Sequence, residues 1–265
     1  MFDLAALETA LAGTVFAGNL HFSPLTDSTN KDAVDAARKG APHGSVYFAD
    51  AQRAGRGRGD HAWSSAAGEG LYVSVLLRPL IPAVRLPMLP LAAGLAAAEA
   101  IRSVAGLAVD LRWPNDLMLG SHGGPRKAGG ILAEAKSAGT AAAFAVVGIG
   151  INVHQRAFAP DLATSATSLD LETGRSVSRQ DLLVSLLKSL EREAIGLLDP
   201  AAGVTIPARI EQASTWIRGR QVEVHGPQAC TGVTTGLDKN GFLLVRTRDG
   251  LVTVQTGGIR AAEIS

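Results

Sequence analysis

The sequence predicts an α+β protein, with a mixed or antiparallel sheet, helices on one side of it, and a small all-β module at the C-terminal end. Three observations lead there. Strand-length apolar runs cluster in pairs instead of alternating singly with helices, which disfavours a doubly wound parallel sheet. The stretch "LPMLPLAAGLAAAEAIRSVAG" is apolar almost all round, the mark of a helix buried on most sides. Past Trp216 the chain turns to short alternating segments with Asn240-Gly241 and Asp249-Gly250 turn signals.

In chain order, "MFDLAALETALAG" lacks a positive leader and carries Asp3 and Glu8, so it reads as a short amphipathic helix and not a signal peptide. In "TNKDAVDAARKG", Thr29 and Asp32 have capping-box spacing and Gly40 supplies a stop, which predicts a helix. "GSVYFADAQ" and "LYVSVLLRP" read as strands that bracket the loop "AGRGRGDHAW". "AVDLRWPND", "RKAGGILAEA" and "AAAFAVVGIGINV" predict three more strands, and "SRQDLLVSLLKSLEREAIGLL" a helix of several turns. Residues 1–216 then form the main domain and 217–265 a small β-barrel that docks on it, being too small for much stability alone.

With 265 residues, 46% hydrophobic, the chain can bury a full core. A formal net charge of +1 argues against wholesale electrostatic binding of nucleic acid, so any basic function is local. The longest apolar run, Leu86 to Ile101, is interrupted by Glu99 and shorter than the ~20 residues of a membrane span. No membrane association and a cytoplasmic location are expected. Cys230, the only cysteine, excludes an internal disulfide and a cysteine metal cluster, and reads as an inert strand residue.

The loop from Ala54 to Trp63 concentrates Gly55, Gly57 and Gly59 around Arg56 and Arg58. Glycine lets backbone N–H groups approach a ligand, and arginine offers a charged fork to carboxylate or phosphate. The loop suits an anion, although a flexible surface or RNA-binding loop has the same composition. It is not a P-loop, and "VVGIGINV" lacks the third glycine of a dinucleotide fingerprint. "DSTN", Asp27 to Asn30, puts hydroxyls and an amide at a helix start, or is an N-cap only. "RWPND" sets Asn115 and Asp116 in a proline turn, and Lys127 opens an otherwise buried strand. Each is also explained by turn or surface chemistry alone.

Together and in this order, "DSTN", "AQRAGRGRGDHAW", "LRWPNDLML", "KAGGILAEA", "GIGINV" and "TTGLDKNGFLLV" resemble the biotin protein ligase family, also called biotin–[acetyl-CoA-carboxylase] ligase. The resemblance implies a class II synthetase-like catalytic domain followed by an SH3-like barrel. It also implies the monofunctional type, since no winged helix-turn-helix precedes "DSTN", and hence no DNA partner. Members of the family activate biotin with ATP to biotinoyl-5′-AMP and pyrophosphate, then pass biotin to one lysine of a biotin carboxyl carrier protein. Both are substrates; Mg²⁺ is expected with ATP, and no protein metal site.

By the same resemblance, Ser28, Thr29, Asn30 and Gln52 bind the biotin ureido ring and chain. Arg56, Arg58 and the backbone of Gly57 hold carboxylate and phosphate, and Lys127 sits between biotin and the α-phosphate. Trp63, Asn115 and Asn152 bind the adenine, and Asp116 orients or deprotonates the carrier lysine. The chain departs from the family pattern in Asp60, which brings negative charge to the anion loop, in Arg112 before "WPND", and in the segment at Arg260, which receives no role. A homodimer through a sheet edge is common in the family. The alternatives are a lipoate or octanoyl ligase of the same fold and a non-catalytic biotin-responsive binding protein.

Overall fold

The computed structural model describes every residue except 1, 60, 79–82, 121–123, 139–140, 161, 163, 199–201 and 263–265. After a short helix α1 (Leu4–Ala10), capped by the Asp3 carboxylate, come β1 (Leu20–Thr26), α2 (Thr29–Arg38), β2 (Val46–Gln52) and β3 (Gly70–Leu77). A 3-10 turn leads into α3 (Leu89–Ala105), then β4 (Asp110–Arg112), β5 (Asp116–Leu119), β6 (Arg126–Ala138) and β7 (Ala141–Asn152). Three helices follow: α4 (Leu169–Thr173), α5 (Arg179–Leu198) and α6 (Ala202–Gln212). The chain ends in β8 (Arg218–His225), β9 (Cys230–Leu237), β10 (Leu243–Thr247), β11 (Gly250–Val254) and β12 (Gly258–Ala261).

The first seven strands make one mixed sheet in the order β1-β2-β3-β7-β6-β5-β4. Only β1 and β2 run parallel, through the α2 crossover; the remaining pairs are antiparallel. Strand period 2 divides β3 and β7 between two faces. Val73, Val75, Val147 and Ile149 point into a large core shared with α3 and α5, whereas Leu76, Phe144 and Val146 meet Ala33 and Ala37 of α2. The expectation that helices lie on one side is therefore corrected: α2 covers the opposite face. Its small Ala33 and Ala37 let the helix sit close to β3 and β7. On the same face, beside the start of α2, the glycine-arginine loop lies over the sheet.

The apolar helix forms where the sequence implied, its first residues as a 3-10 turn and the rest as α3. Arg85–Ala105, 21 residues at mean hydropathy 1.3, is long and apolar enough to cross a membrane by length and composition. In the fold 67% of its most apolar window is buried, and Ala93, Ala96, Ala97, Ala100 and Ile101 are wholly covered, as in a core helix. The capping box does not form. Ser28 is the N-cap of α2 and makes no side-chain capping bond, Thr29 turns inward, and the Asp32 carboxylate accepts from the Thr26 hydroxyl at 2.6 Å.

The five C-terminal strands form an antiparallel sheet ordered β11-β10-β9-β8-β12. Val222, Val224, Leu243, Val245, Val254 and Ile259 belong to the same core as α3 and α5, so this sheet is docked by apolar burial. Trp113 Nε1 donates to the Gly241 carbonyl at 3.1 Å, and a Cβ on Gly241 would lie 2.7 Å from Leu91 Cδ1. Gly241, at φ +81, thus serves both its turn and close packing against α3. The second hairpin turns one residue earlier than expected, since Gly250 already pairs with Thr247 and leaves Arg248 and Asp249 at the tip.

Candidate active site

On the α2 face, a pocket opens between the start of α2, the middle of β3, β6 and β7, and the glycine-arginine loop. Its floor is polar and fully engaged. Thr29 donates through its backbone N to Gln52 Oε1 at 2.9 Å, and its hydroxyl lies 2.9 Å from Ser74 Oγ. Ser74 in turn donates to Asn30 Oδ1 at 3.0 Å, while Gln52 Nε2 donates to Ser65 Oγ at 2.7 Å. Ser28, Thr29 and Asn30 are all buried, so their polar groups serve this network or a ligand and not bulk water.

Sequence reasoning missed Ser74, although the signal was present. It is the one small polar residue in the wholly buried segment "LYVSVLL". The glycines of "VVGIGINV" also receive a physical role there. Gly148 pairs with Ser74 and Gly150 with Tyr72 across the sheet. A Cβ on Gly148 would lie 2.3 Å from Asn30 Oδ1, and one on Gly150 would lie 2.7 Å from the Trp63 indole. Neither glycine has a positive φ; both clear space for side chains that line the pocket.

The loop itself closes as a small hairpin. Trp63 N donates to the Gly55 carbonyl at 2.8 Å, Gly57 N donates to the His61 carbonyl at 2.7 Å, and Arg56 bridges to Ala62. The Gly57 amide, expected to hold an anion, donates within the loop hairpin in this structure. Asp60, expected to weaken the anion site, lies outside the described residues. Arg56 Nη2 reaches Glu134 Oε2 at 2.6 Å, and Arg58 reaches Thr256 Oγ1 at 2.7 Å and the Gly257 carbonyl.

The second cluster lies beside the first, where β4 turns into β5. Arg112 and Asp116 are a pair in that hairpin, and both Nε and Nη2 of Arg112 donate to Asp116 Oδ2, at 3.0 and 2.6 Å. Asp116 Oδ1 receives Lys127 Nζ at 2.6 Å. A bulge makes this meeting possible: Leu117 faces Gly129 but Met118 faces Lys127, so Ala128 is the extra residue. The slip resets strand alternation and brings Lys127 onto the face of Gly130, where a Cβ would contact its Cε at 3.4 Å. Lys127 Nζ also lies 5.5 Å from the Trp63 ring centroid.

Asn115 donates Nδ2 to the Ile131 carbonyl at 2.7 Å, and Asn152 donates Nδ2 to the Thr167 carbonyl at 3.0 Å, so each amide is tethered at one end. Lys127, Trp63, Arg58 and Asn115 line the pocket, and together with Asp116 and Asn152 they also line a large open cleft toward the C-terminal sheet. The two spaces meet along these side chains. Arg58, partly withdrawn from water, has its pKa lowered by burial, against the opposing charge of Asp116. Both oxygens of Asp116 face cations, which suits it to fixing Lys127. Among the described residues no group of three His, Cys, Asp or Glu is placed to hold a metal.

Comparison with known proteins gives this arrangement a family. Residues 22–152 match the Biotin/lipoate A/B protein ligase family. The chain is 31% identical over 261 residues to the bifunctional ligase/repressor BirA of Bacillus subtilis, covering 96% of this chain and 77% of that protein. It is 33% identical over 241 residues to the biotin–[acetyl-CoA-carboxylase] ligase of Mycobacterium tuberculosis, covering 88% and 85%. Its fold superimposes on the biotin protein ligase of Aquifex aeolicus in complex with biotin and ATP with a TM-score of 0.78, at 30% identity and coverage of 92% and 98%. From the matched motifs, the shared fold and the similarity along most of the chain together, the chain belongs to the biotin/lipoate A/B protein ligase family.

Proposed function

We propose that this protein is a biotin protein ligase, which joins biotin to ATP as biotinoyl-5′-AMP with release of pyrophosphate and then transfers biotin to a lysine of a biotin carboxyl carrier protein. The observation that carries the reading is one continuous space. A closed polar floor of Thr29, Asn30, Gln52 and Ser74 leads without interruption to Lys127, Trp63 and the arginine loop. Neutral donors and acceptors suit a ureido ring, which has both N–H and C=O groups; a lipoyl or octanoyl chain has neither at that end.

In this reading Ser28, Thr29, Asn30 and Gln52 hold the ureido ring and Arg56 receives the carboxylate. Lys127, held by Asp116, neutralises charge as the carboxylate attacks the α-phosphate, where two anions otherwise repel. Trp63 stacks on adenine over the space left by Gly150, with Asn115 and Asn152 at its edge, and Arg58 retains the adenylate. Mg²⁺ bound with ATP would supply charge neutralisation to the pyrophosphate leaving group. The carboxylates nearest the reacting groups, Asp116 and Glu134, are already paired with cations of the chain. In the second step Asp116 orients the incoming carrier amine, through the same contacts that orient Lys127. Residues 1–216 form the catalytic unit and 217–265 an SH3-like unit, in a cytoplasmic enzyme.

The direct test is pyrophosphate release from ATP with biotin, lipoate or octanoate as the acid. Release with biotin alone supports the assignment. Release only with lipoate or octanoate supports the ligase of the other acyl class.

A further inference from the structure

The geometry points to Glu134 as a positioning residue for biotin, one that sets the amide orientation of Asn30 and the reach of Arg56 through a single carboxylate oxygen. The inference rests on the biotin ligase reading. Glu134 is on β6, four residues beyond Gly130, and its Oε2 accepts both from Arg56 Nη2 at 2.6 Å and from Asn30 Nδ2. Asn30 Oδ1 accepts from Ser74 on the other side. The two ends of the Asn30 amide are thereby distinguished: nitrogen toward a carboxylate, which only accepts, and oxygen toward a hydroxyl. Gly148 leaves the room for that oxygen, since a Cβ there would lie 2.3 Å from it.

The contacts continue in both directions. From Glu134 they run through Asn30, Ser74, Thr29 and Gln52 to Ser65, whose hydroxyl donates to the Trp63 carbonyl at 3.2 Å. Arg56 lies near the beginning of the glycine-arginine loop and Trp63 near its end, so the polar ring joins both ends of the loop across the pocket floor. Stability is a poor reason for the ion pair, because Arg56 and Glu134 are 47% and 35% exposed and such surface pairs contribute little. A carboxylate also raises the electrostatic cost of binding an anionic substrate unless a cation accompanies it. Arg56 is that cation. Its position beside Glu134 keeps it at the pocket while Glu134 orders Asn30, and the substrate's own carboxylate then shares it.

The test compares wild type, Glu134→Ala and Glu134→Gln, each alone and with Arg56→Ala, in biotin-dependent pyrophosphate release at saturating ATP, with thermal unfolding recorded for each. Glu134→Ala is expected to raise the biotin KM by about tenfold, the scale of a lost charge-assisted hydrogen bond, while kcat and Tm stay near wild type. Glu134→Gln retains an acceptor for Asn30 and should recover most of the KM. Arg56→Ala should cost less in either Glu134 variant than in wild type, because the two groups act as a unit. Should Glu134→Ala not fold, Glu134→Gln and its pairing with Arg56→Ala still give the coupling. A biotin KM unchanged in Glu134→Ala, a loss of kcat in step with Tm, or strictly additive effects with Arg56→Ala overturn the proposal. A wild-type protein inactive with biotin overturns the ligase reading itself, and is distinguished by needing no variant.

Discussion

The guanidinium of Arg58 donates to Thr256 Oγ1 at 2.7 Å, fastening the glycine-arginine loop to the segment that leads into β12. A second contact reaches the neighbouring Gly257 carbonyl. The residue that the functional reading assigns to retaining the adenylate is therefore also the residue that ties the loop to the C-terminal sheet. Arg58→Ala should weaken retention of preformed biotinoyl-5′-AMP by about 1.5–3 kcal/mol, as expected for a hydrogen bond to a charged group. The measurement is the dissociation rate of the intermediate in the absence of carrier. An unchanged rate removes the retention role.

Lys127 is held on a strand by Asp116 and not on the loop, so its loss should affect chemistry more than retention. Lys127→Ala is expected to lower single-turnover adenylation by on the order of 10²-fold, comparable with removal of an oxyanion donor, with a smaller effect on biotin binding without ATP. Wild-type adenylation in this variant would refute the assignment. Asp116→Ala should be more harmful to stability, because it leaves nearly buried Arg112 without its carboxylate and can cost about 3–5 kcal/mol. Denaturant midpoints of the two variants distinguish these effects.

Gly150 tests the adenine surface without removing any side chain of the site. A Cβ would lie 2.7 Å from Trp63 Nε1 and Cε2, so Gly150→Ala must displace the indole or the strand, an overpacking cost of about 1–3 kcal/mol. The expected outcome is a raised KM for ATP with biotin binding largely retained. Equal losses for both substrates would show instead that the strand has moved.

Much of this was legible in the sequence because it depends on local pattern. The strands bracketing the loop, the buried α3 and the C-terminal strands follow from apolar runs and turn residues, and the pocket residues Ser28, Thr29, Asn30 and Gln52 from an ordered set of motifs. What was missed depends on tertiary pairing. β1, "LHFSPLT", contains Pro24 and an uneven burial pattern, and takes its place at the sheet edge by pairing with β2. α6 has Pro207 within it, and β12 is only four residues long, so neither has a strong periodic signal. The face covered by α2 and the bulge at Ala128 follow from how strands meet, and no single segment encodes them. Glu134 carries no signal of its own in "KAGGILAEA", because its contacts with Asn30 and Arg56 are made between distant segments.

Cys230 provides a control outside the site. It lies on β9, and burial raises its thiol pKa, which reduces the reactive thiolate near neutral pH. Alkylation should therefore be slower than that of a free cysteine and should accelerate as pH rises beyond the ordinary thiol range. Cys230→Ser is expected to keep full ligase activity. Fast alkylation near neutral pH, or loss of activity on substitution, would contradict this placement.

The central claim is acyl transfer of biotin through an adenylate, and its most direct measurement is intact mass spectrometry of a biotin carboxyl carrier domain incubated with the protein, ATP and biotin. The account predicts the mass increment of one biotin on one lysine, abolished by omission of ATP and strongly slowed by Lys127→Ala. A lipoyl or octanoyl increment with no biotin product, or biotin binding that yields neither pyrophosphate nor modified carrier, would contradict it.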